Sequence, residues 1–215
     1  MAIKLIKRGA LIVIEGVDKV GKTTQCQRLV RELNDGKHRA EYWKYPRRDT
    51  PTGSLINQYL TGSCMLDDHV IHLLFSANRW ETAKQMKEKL EEGITLIVDR
   101  YAFSGAAYSA AKEKNIPLDW CKSPDCGLPR PDLVVYLTAR SAESRPGFGG
   151  EIYENEAFQS RVKKMFDALK DDSWKVFESE GNMDELTARI YEAIKDTIKD
   201  VSQEIKPLWS ERLHV

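Results

Sequence analysis

Two adjoining stretches decide the fold: Ala10-Leu-Ile-Val-Ile14, and Gly16-Val-Asp-Lys-Val-Gly21-Lys22-Thr23, which begins two residues later. The first is a short apolar run rich in β-branched residues, the pattern of a strand buried on both faces of a parallel sheet. The second matches G-x-x-x-x-G-K-[ST] in full. It opens a helix from Gly21 to Leu33, with Cys26, Leu29, Val30 and Leu33 on one face and Asn34-Asp35-Gly36 as its stop. Strand, glycine loop and helix in that order are the context that gives the motif its meaning. Glycines let the backbone turn successive N–H groups inward, and the helix N-terminus adds partial positive charge. Lys22 reaches the outer phosphates of a bound triphosphate, and the Thr23 hydroxyl is a Mg²⁺ ligand. Gly16, Val17, Asp18, Lys19, Val20, Gly21, Lys22, Thr23 and Thr24 are therefore expected to hold a nucleoside triphosphate with Mg²⁺.

Outward from the loop, apolar strands alternate with helical patterns. Strands are expected over Arg39–Tyr45, ended by Pro46, and over Ile94–Val98, Asp132–Leu137 and Trp174–Phe177. A long helix is expected over Asp67–Glu92, with Val70, Leu73, Leu74 and Ala77 as its core stripe. Further helices are expected over Ala102–Lys114, Asn155–Leu169 and Asn182–Ile205, and a Gly-, Ser- and Arg-rich lid loop at about 140–152. Together these predict one α/β domain over residues 1–215. It would be a three-layer αβα sandwich of the P-loop NTPase type, built on a five-stranded, mostly parallel sheet. Ligands bind such sheets beyond the carboxyl ends of the strands.

The chain has 215 residues, 41% hydrophobic and 31% charged, with mean hydropathy −0.50, a globular profile. No apolar run approaches the roughly 18 residues that span a bilayer, and Met1–Gly9 lacks a secretory apolar stretch. A cytoplasmic location is expected, with nuclear presence allowed, and no membrane partner. Lys+Arg and Asp+Glu are 33 each, so the net charge is zero, which argues against a nucleic-acid-coating domain. The zero hides an asymmetry. Residues 1–50 carry 12 basic and 6 acidic residues, net +6, and residues 151–215 carry 10 and 15, net −5. Cys26, Cys64, Cys121 and Cys126 make no disulfide scaffold, and Cys121-Lys-Ser-Pro-Asp-Cys126 is too loosely spaced to favour zinc.

A second site signal follows the strand Ile94–Val98. Asp99 there is placed to join the Mg²⁺ shell, and Arg100 to clamp phosphate oxygens in a bidentate fork. A GTPase would want an Asn-Lys-x-Asp guanine motif, which this chain lacks, so a small nucleotide kinase leads. Phe75 and Arg79, four apart on one helix face, point away from the expected stripe, an odd place for an aromatic ring unless something covers it.

At this point the chain resembles thymidylate kinases of the eukaryotic type. The resemblance is carried by the loop through Thr24, by Tyr45-Pro-Arg-Arg48, by Leu73-Leu-Phe-Ser-Ala-Asn-Arg-Trp-Glu81 and by Val98-Asp-Arg-Tyr-Ala-Phe-Ser-Gly105. Leu118-Asp-Trp-Cys121, Gly127-Leu-Pro-Arg-Pro-Asp132 and Tyr153-Glu-Asn155 add to it. It implies transfer of the ATP γ-phosphoryl group to dTMP by a homodimer. It further implies that Arg48 and Arg100 hold the acceptor phosphate, that Phe75 stacks on thymine and that Arg79 hydrogen-bonds the base. By the same resemblance Asp18 and Tyr153 bind the sugar 3′-hydroxyl, and Ser104, Gly105 and Tyr108 line the pocket with Gln159 beside them. Lys22, Arg100, Asp99, Lys19 and Arg145 form the expected catalytic set, with Arg140 and Arg145 folding over the triphosphate from the lid. The chain also departs from the pattern. Lys19 stands where the eukaryotic type has a loop arginine, so Arg145 is expected to supply part of the clamp. Tyr108 stands for a phenylalanine, and the lid is about two residues shorter. A kinase with another nucleotide or nucleoside acceptor, and a non-catalytic nucleotide-binding module, are the alternatives.

Overall fold

The computed structural model describes residues 7–112, 116–139, 152–153 and 155–210. Five strands form one sheet: β1 (Leu11–Glu15), β2 (Ala40–Lys44), β3 (Thr95–Asp99), β4 (Leu133–Thr138) and β5 (Trp174–Glu178). Their order is β2-β3-β1-β4-β5, and every neighbouring pair is parallel. Ile12 faces Ile97 on one side and Leu133 on the other. The chain thus leaves β1 in both directions, and the crevice beyond its carboxyl end is the topological switch point where such sheets bind ligands.

All five β1 residues are buried, and alternate side chains feed opposite cores. Leu11 and Val13 pack with α4 (Ala83–Glu91), α5 (Ala102–Ala110) and α7 (Glu156–Leu169). Ile12 and Ile14 pack with α1 (Lys22–Asp35) and α8 (Met183–Asp200). Helices on both faces make the three layers that alternation of elements predicts. α2 (Pro51–Leu60), α3 (Asp68–Trp80) and the short α6 (Leu118–Lys122), followed by a 3₁₀ turn at Ser123–Asp125, wrap the open end. No helix among the described residues is long and apolar enough to cross a membrane.

Three expectations about helices need correction. The helix expected over Asp67–Glu92 is two helices. The break falls at Thr82, whose hydroxyl bonds the Tyr45 hydroxyl at 2.6 Å and the Arg79 carbonyl at 3.3 Å, in competition with the helical ladder. The expected core stripe is inverted: Val70, Leu73 and Ala77 are exposed, while His72, Ser76, Asn78 and Arg79 are buried. Periodicity shows that a helix has two faces, but here the buried face is mostly polar, with Ile71 the apolar member, and its Ser76, Asn78 and Arg79 are satisfied by distant partners. The last helix stops at Asp200 because Val201 and Ile205 pack on opposite cores, which one straight helix cannot reach. α2 was not legible as a helix, although Thr50 accepts from the Gly53 N–H and Pro51 opens it, a standard start.

Candidate active site

A cleft of about 480 Å³ opens beyond the carboxyl ends of β1 and β3, within the usual range for small-molecule sites. Its walls include Asp18, Lys19, Gly21, Lys22, Thr23 and Thr24 from the loop and α1, Asp99, Arg100, Ser104, Gly105 and Tyr108 from β3 and α5, and Arg48, Phe75, Arg79 and Tyr153. Six of the lining residues are lysine or arginine (Lys19, Lys22, Lys44, Arg48, Arg79, Arg100) and two are acidic (Asp18, Asp99). A chain of zero net charge therefore surrounds a strongly positive cleft.

The loop is shaped by its backbone. Gly16 has φ 147°, and a Cβ there would lie 2.5 Å from the Leu137 carbonyl oxygen, so only glycine fits. Lys19 sits at φ 59°, a left-handed conformation that costs a non-glycine residue about 1–2 kcal/mol. α1 starts at Lys22, so its free N–H groups face the cleft. Lys22 is 6% exposed, and its ammonium donates to the Val17 carbonyl at 2.6 Å. Burial, then the Arg100 charge, push its pKa down to about 8, against the pull of Asp18, Asp99 and Glu15. The Val17 side chain packs on the cores and Val20 is fully buried, so these side chains shape the loop and leave only the backbone of the two residues to meet a ligand.

Thr23 Oγ1 donates to Asp99 Oδ2 at 2.5 Å, and the Tyr42 hydroxyl approaches the same oxygen at 3.3 Å. Mg²⁺ takes few protein oxygens and completes its shell with phosphate and water. A hydroxyl and a buried carboxylate, side by side at the mouth of the loop, fit that ion.

Arg100 gathers the carboxylates. Its guanidinium pairs with Asp18, donates to Ser104 Oγ at 3.1 Å and to the Gly16 carbonyl at 3.3 Å, and lies 5.1 Å over the Tyr108 ring. Asp18 also accepts from the Tyr108 hydroxyl at 3.0 Å and Gln159 Nε2 at 2.6 Å. Burial pushes the Asp18 carboxyl up, but Arg100 and Lys22 together with these hydrogen bonds outweigh it and hold it low. Gln159 lies behind the wall and bridges Asp18 to the Tyr153 carbonyl at 2.9 Å. Tyr153 stacks on Phe158 at 5.1 Å. Arg48 donates to Asn57 at 2.7 Å. Phe75 packs by one side on the α2 cluster of Ile56, Tyr59 and Leu60 and reaches the cleft by the other.

Within the described part the sequence-predicted residues line this cleft, except Gly16, Val17 and Val20, which belong to the loop beside it, and Gln159, which stands behind its wall; Arg140 and Arg145 lie outside the described residues. Glu15 was missed. It is fully buried below the loop and accepts from the Ser104 hydroxyl at 2.5 Å and from the Tyr101 and Ser104 N–H groups at 2.9 and 3.0 Å. Its burial raises its pKa despite those bonds and the Arg100 charge. A charged residue closing an apolar run just before a glycine loop was the signal available.

The thymidylate kinase family model matches residues 14–190. The chain belongs to the thymidylate kinase family. A thymidylate kinase from Danio rerio is 48% identical over 211 residues, covering 96% of this chain and 95% of its own. The one from Homo sapiens is 47% identical over 207 residues, covering 94% and 96%. Among solved structures, thymidylate kinase from Candida albicans superposes with a TM-score of 0.85 at 37% identity, covering 94% of this chain and 98% of its own. The motif residues of this chain sit at the carboxyl ends of β1 and β3, where α/β sheets of this kind put their ligands.

Proposed function

We propose that this chain transfers the γ-phosphoryl group of ATP to dTMP, giving dTDP and ADP. The observation that carries it is the convergence, in one cleft of six cations, of the phosphate loop with a second arginine set and an aromatic base wall. Two anionic substrates need such a cleft, and an acceptor that is already a phosphate dianion needs no strong general base. An acceptor phosphate oxygen bonds the γ-phosphorus as the bond to the bridging β,γ-oxygen breaks. Lys22 and Lys19, with Arg145 and Arg140 from the lid, hold the donor phosphates. Arg48 and Arg100 hold the acceptor phosphate. Phe75 stacks on thymine, Arg79 hydrogen-bonds it, and Asp18 with Tyr153 takes the sugar 3′-hydroxyl. Ser104, Gly105 and Tyr108 close the pocket, and Gln159 orients Asp18. Thr23 and Asp99 would hold Mg²⁺, which when bound neutralises developing charge on the phosphates.

An ADP-release panel of dTMP, dUMP, thymidine and AMP tests the assignment. dTMP is expected to turn over fastest. Faster turnover of thymidine, or ATP binding with no nucleotide phosphorylated, overturns it.

We further infer a homodimer. Val70, Leu73, Ala77 and Trp80 recur at helical spacing along the outer face of α3, with Val70 46%, Leu73 47% and Trp80 41% exposed. A row of large apolar side chains in water supports burial against a second copy. Light scattering is expected to give twice 24.6 kDa for the wild type and 24.6 kDa for Leu73→Glu. A monomeric wild type sinks the idea. Free thiols at Cys26, Cys64, Cys121 and Cys126 support a reducing compartment such as the cytoplasm.

A further inference from the structure

The segment Cys121–Cys126 holds neither a disulfide nor a place in the cleft wall, yet it delivers a fully buried carboxylate. Asp125, at the end of the 3₁₀ turn, accepts from Arg79 Nε at 3.0 Å and Ser76 Oγ at 2.8 Å through Oδ1, and from Arg79 Nη2 at 2.6 Å through Oδ2. This is a bidentate fork between a side chain 3% exposed and one 0% exposed. It fixes the guanidinium in plane and in rotation. Nε is spent on it, and so is one hydrogen of Nη2. Both hydrogens of Nη1 and the second hydrogen of Nη2 remain.

The other side of the guanidinium is bounded by Gly105. A Cβ there would lie 2.6 Å from Nη2 and 3.0 Å from Nη1. Arg79 and Gly105 both line the cleft. The arginine is thus held between a carboxylate behind it and a bare backbone beside it, and it shows the cleft only donors.

We propose that Asp125 is the positioning residue for base discrimination. By clamping Arg79 it selects a pyrimidine monophosphate with a carbonyl at ring position 4 and rejects one with an amino group there. This rests on Arg79 meeting the base. A carbonyl accepts from the guanidinium, whereas an exocyclic amino group sets N–H against N–H and leaves buried donors unpaired. Sites built on such a hydrogen bond discriminate by several orders of magnitude. A guanidinium free to swing away loses that penalty.

Asp125→Asn keeps shape and removes the charge and one half of the fork. Its KM for dTMP is expected to rise at least about tenfold while KM for ATP stays within about twofold. The ratio of kcat/KM for dTMP over dCMP is expected to fall at least about tenfold. Ser76→Ala removes one bond to Asp125, at 2.8 Å, and one to the neighbouring Pro124 carbonyl, at 3.0 Å, and leaves the fork itself intact; about a threefold fall in that ratio is expected. It serves as the test where Asp125→Asn does not fold. Arg79→Met separates the two levels. An unchanged dTMP-to-dCMP ratio in Arg79→Met refutes Arg79 as the base contact. A ratio that falls in Arg79→Met but holds at the wild-type value in a folded Asp125→Asn, or in Ser76→Ala, overturns the proposal for Asp125. A purely structural role for Asp125 would lower Tm and leave both KM values and the ratio alone.

Discussion

Replacing Arg100 with methionine is expected to lower kcat/KM for dTMP by about a thousandfold or more, and the stability of the empty protein by roughly 3–5 kcal/mol. The two losses share one cause. Arg100 neutralises Asp18 and faces Glu15, both held in a site from which water is largely excluded. Methionine fills the space but leaves Asp18 with the neutral donors Tyr108 and Gln159 and, of its two cations, only Lys22. A carboxylate stripped of its paired guanidinium then raises its pKa or drags the loop open. The catalytic loss follows because the acceptor phosphate forfeits a bidentate donor, and a misplaced Asp18 no longer orients the sugar. Arg100→Lys keeps the charge without the fork. It is expected to recover most of the stability and only part of the rate. Urea unfolding and steady-state kinetics check both. A methionine variant with wild-type stability would show that Asp18 does not depend on Arg100. Arg100 also holds φ 66°, in the left-handed region, as it leaves β3. That strain sits at the one residue that must turn back over the end of β1, where its N–H bonds the Ile14 carbonyl at 3.1 Å.

The parts of this site that the sequence announces are those made within a few residues of each other. The run before Gly16 could only be a strand buried on both faces, and the loop and Asp99–Arg100 then fall at strand ends by topology. The parts it conceals are made across long separations. α3 looks like a helix with an apolar inner face until its partners are known. Asn78 bonds Thr50 and Arg47, 28 and 31 residues away, and Ser76 and Arg79 bond Asp125, 49 and 46 residues away. No local rule prefers to bury those polar groups over Val70 and Leu73, because what favours their burial is a set of acceptors folded in from elsewhere. The odd placement of Phe75 was the visible trace: a ring on the face opposite the supposed core marked that face as the inner one. Lys112 makes the same point. It is 8% exposed, bonded to Asp68 and Tyr59 at 2.9 and 3.0 Å, and nothing near it in sequence marks it as interior.

Lys22→Met is expected to abolish turnover and yet stabilise the empty protein at neutral pH. The Lys22 pKa of about 8, against an ordinary 10.5, means that the folded state holds this proton less tightly than the unfolded chain. The shift corresponds to about 3 kcal/mol at roughly 1.4 kcal/mol per unit. Below pH 8 both states are charged and the folded protein bears the full penalty. Between pH 8 and 10.5 the folded state sheds the proton first, the unfolded state binds more, and stability rises with pH. Methionine removes the charge and with it that slope. It also forfeits the bond to the Val17 carbonyl, worth about 1 kcal/mol. The balance is about 2 kcal/mol in favour of the variant at pH 7, or roughly 4–8 °C in Tm for a chain of this size. The cost in the wild type is recovered only when polyanionic phosphates enter. Only the ammonium form binds them well, so ATP affinity is expected to weaken by about tenfold per pH unit above 8. ATP binding there should take up a proton, visible by calorimetry as a dependence on buffer ionisation heat. In the methionine variant both the proton uptake and the shift of Tm by ATP should vanish. A variant less stable than wild type at pH 7, or an ATP affinity flat from pH 7 to 9.5, would show that the empty cleft does not strain this lysine. The loop would then be a passive cradle, and the six cations around it would owe their placement to one another rather than to the anions they await.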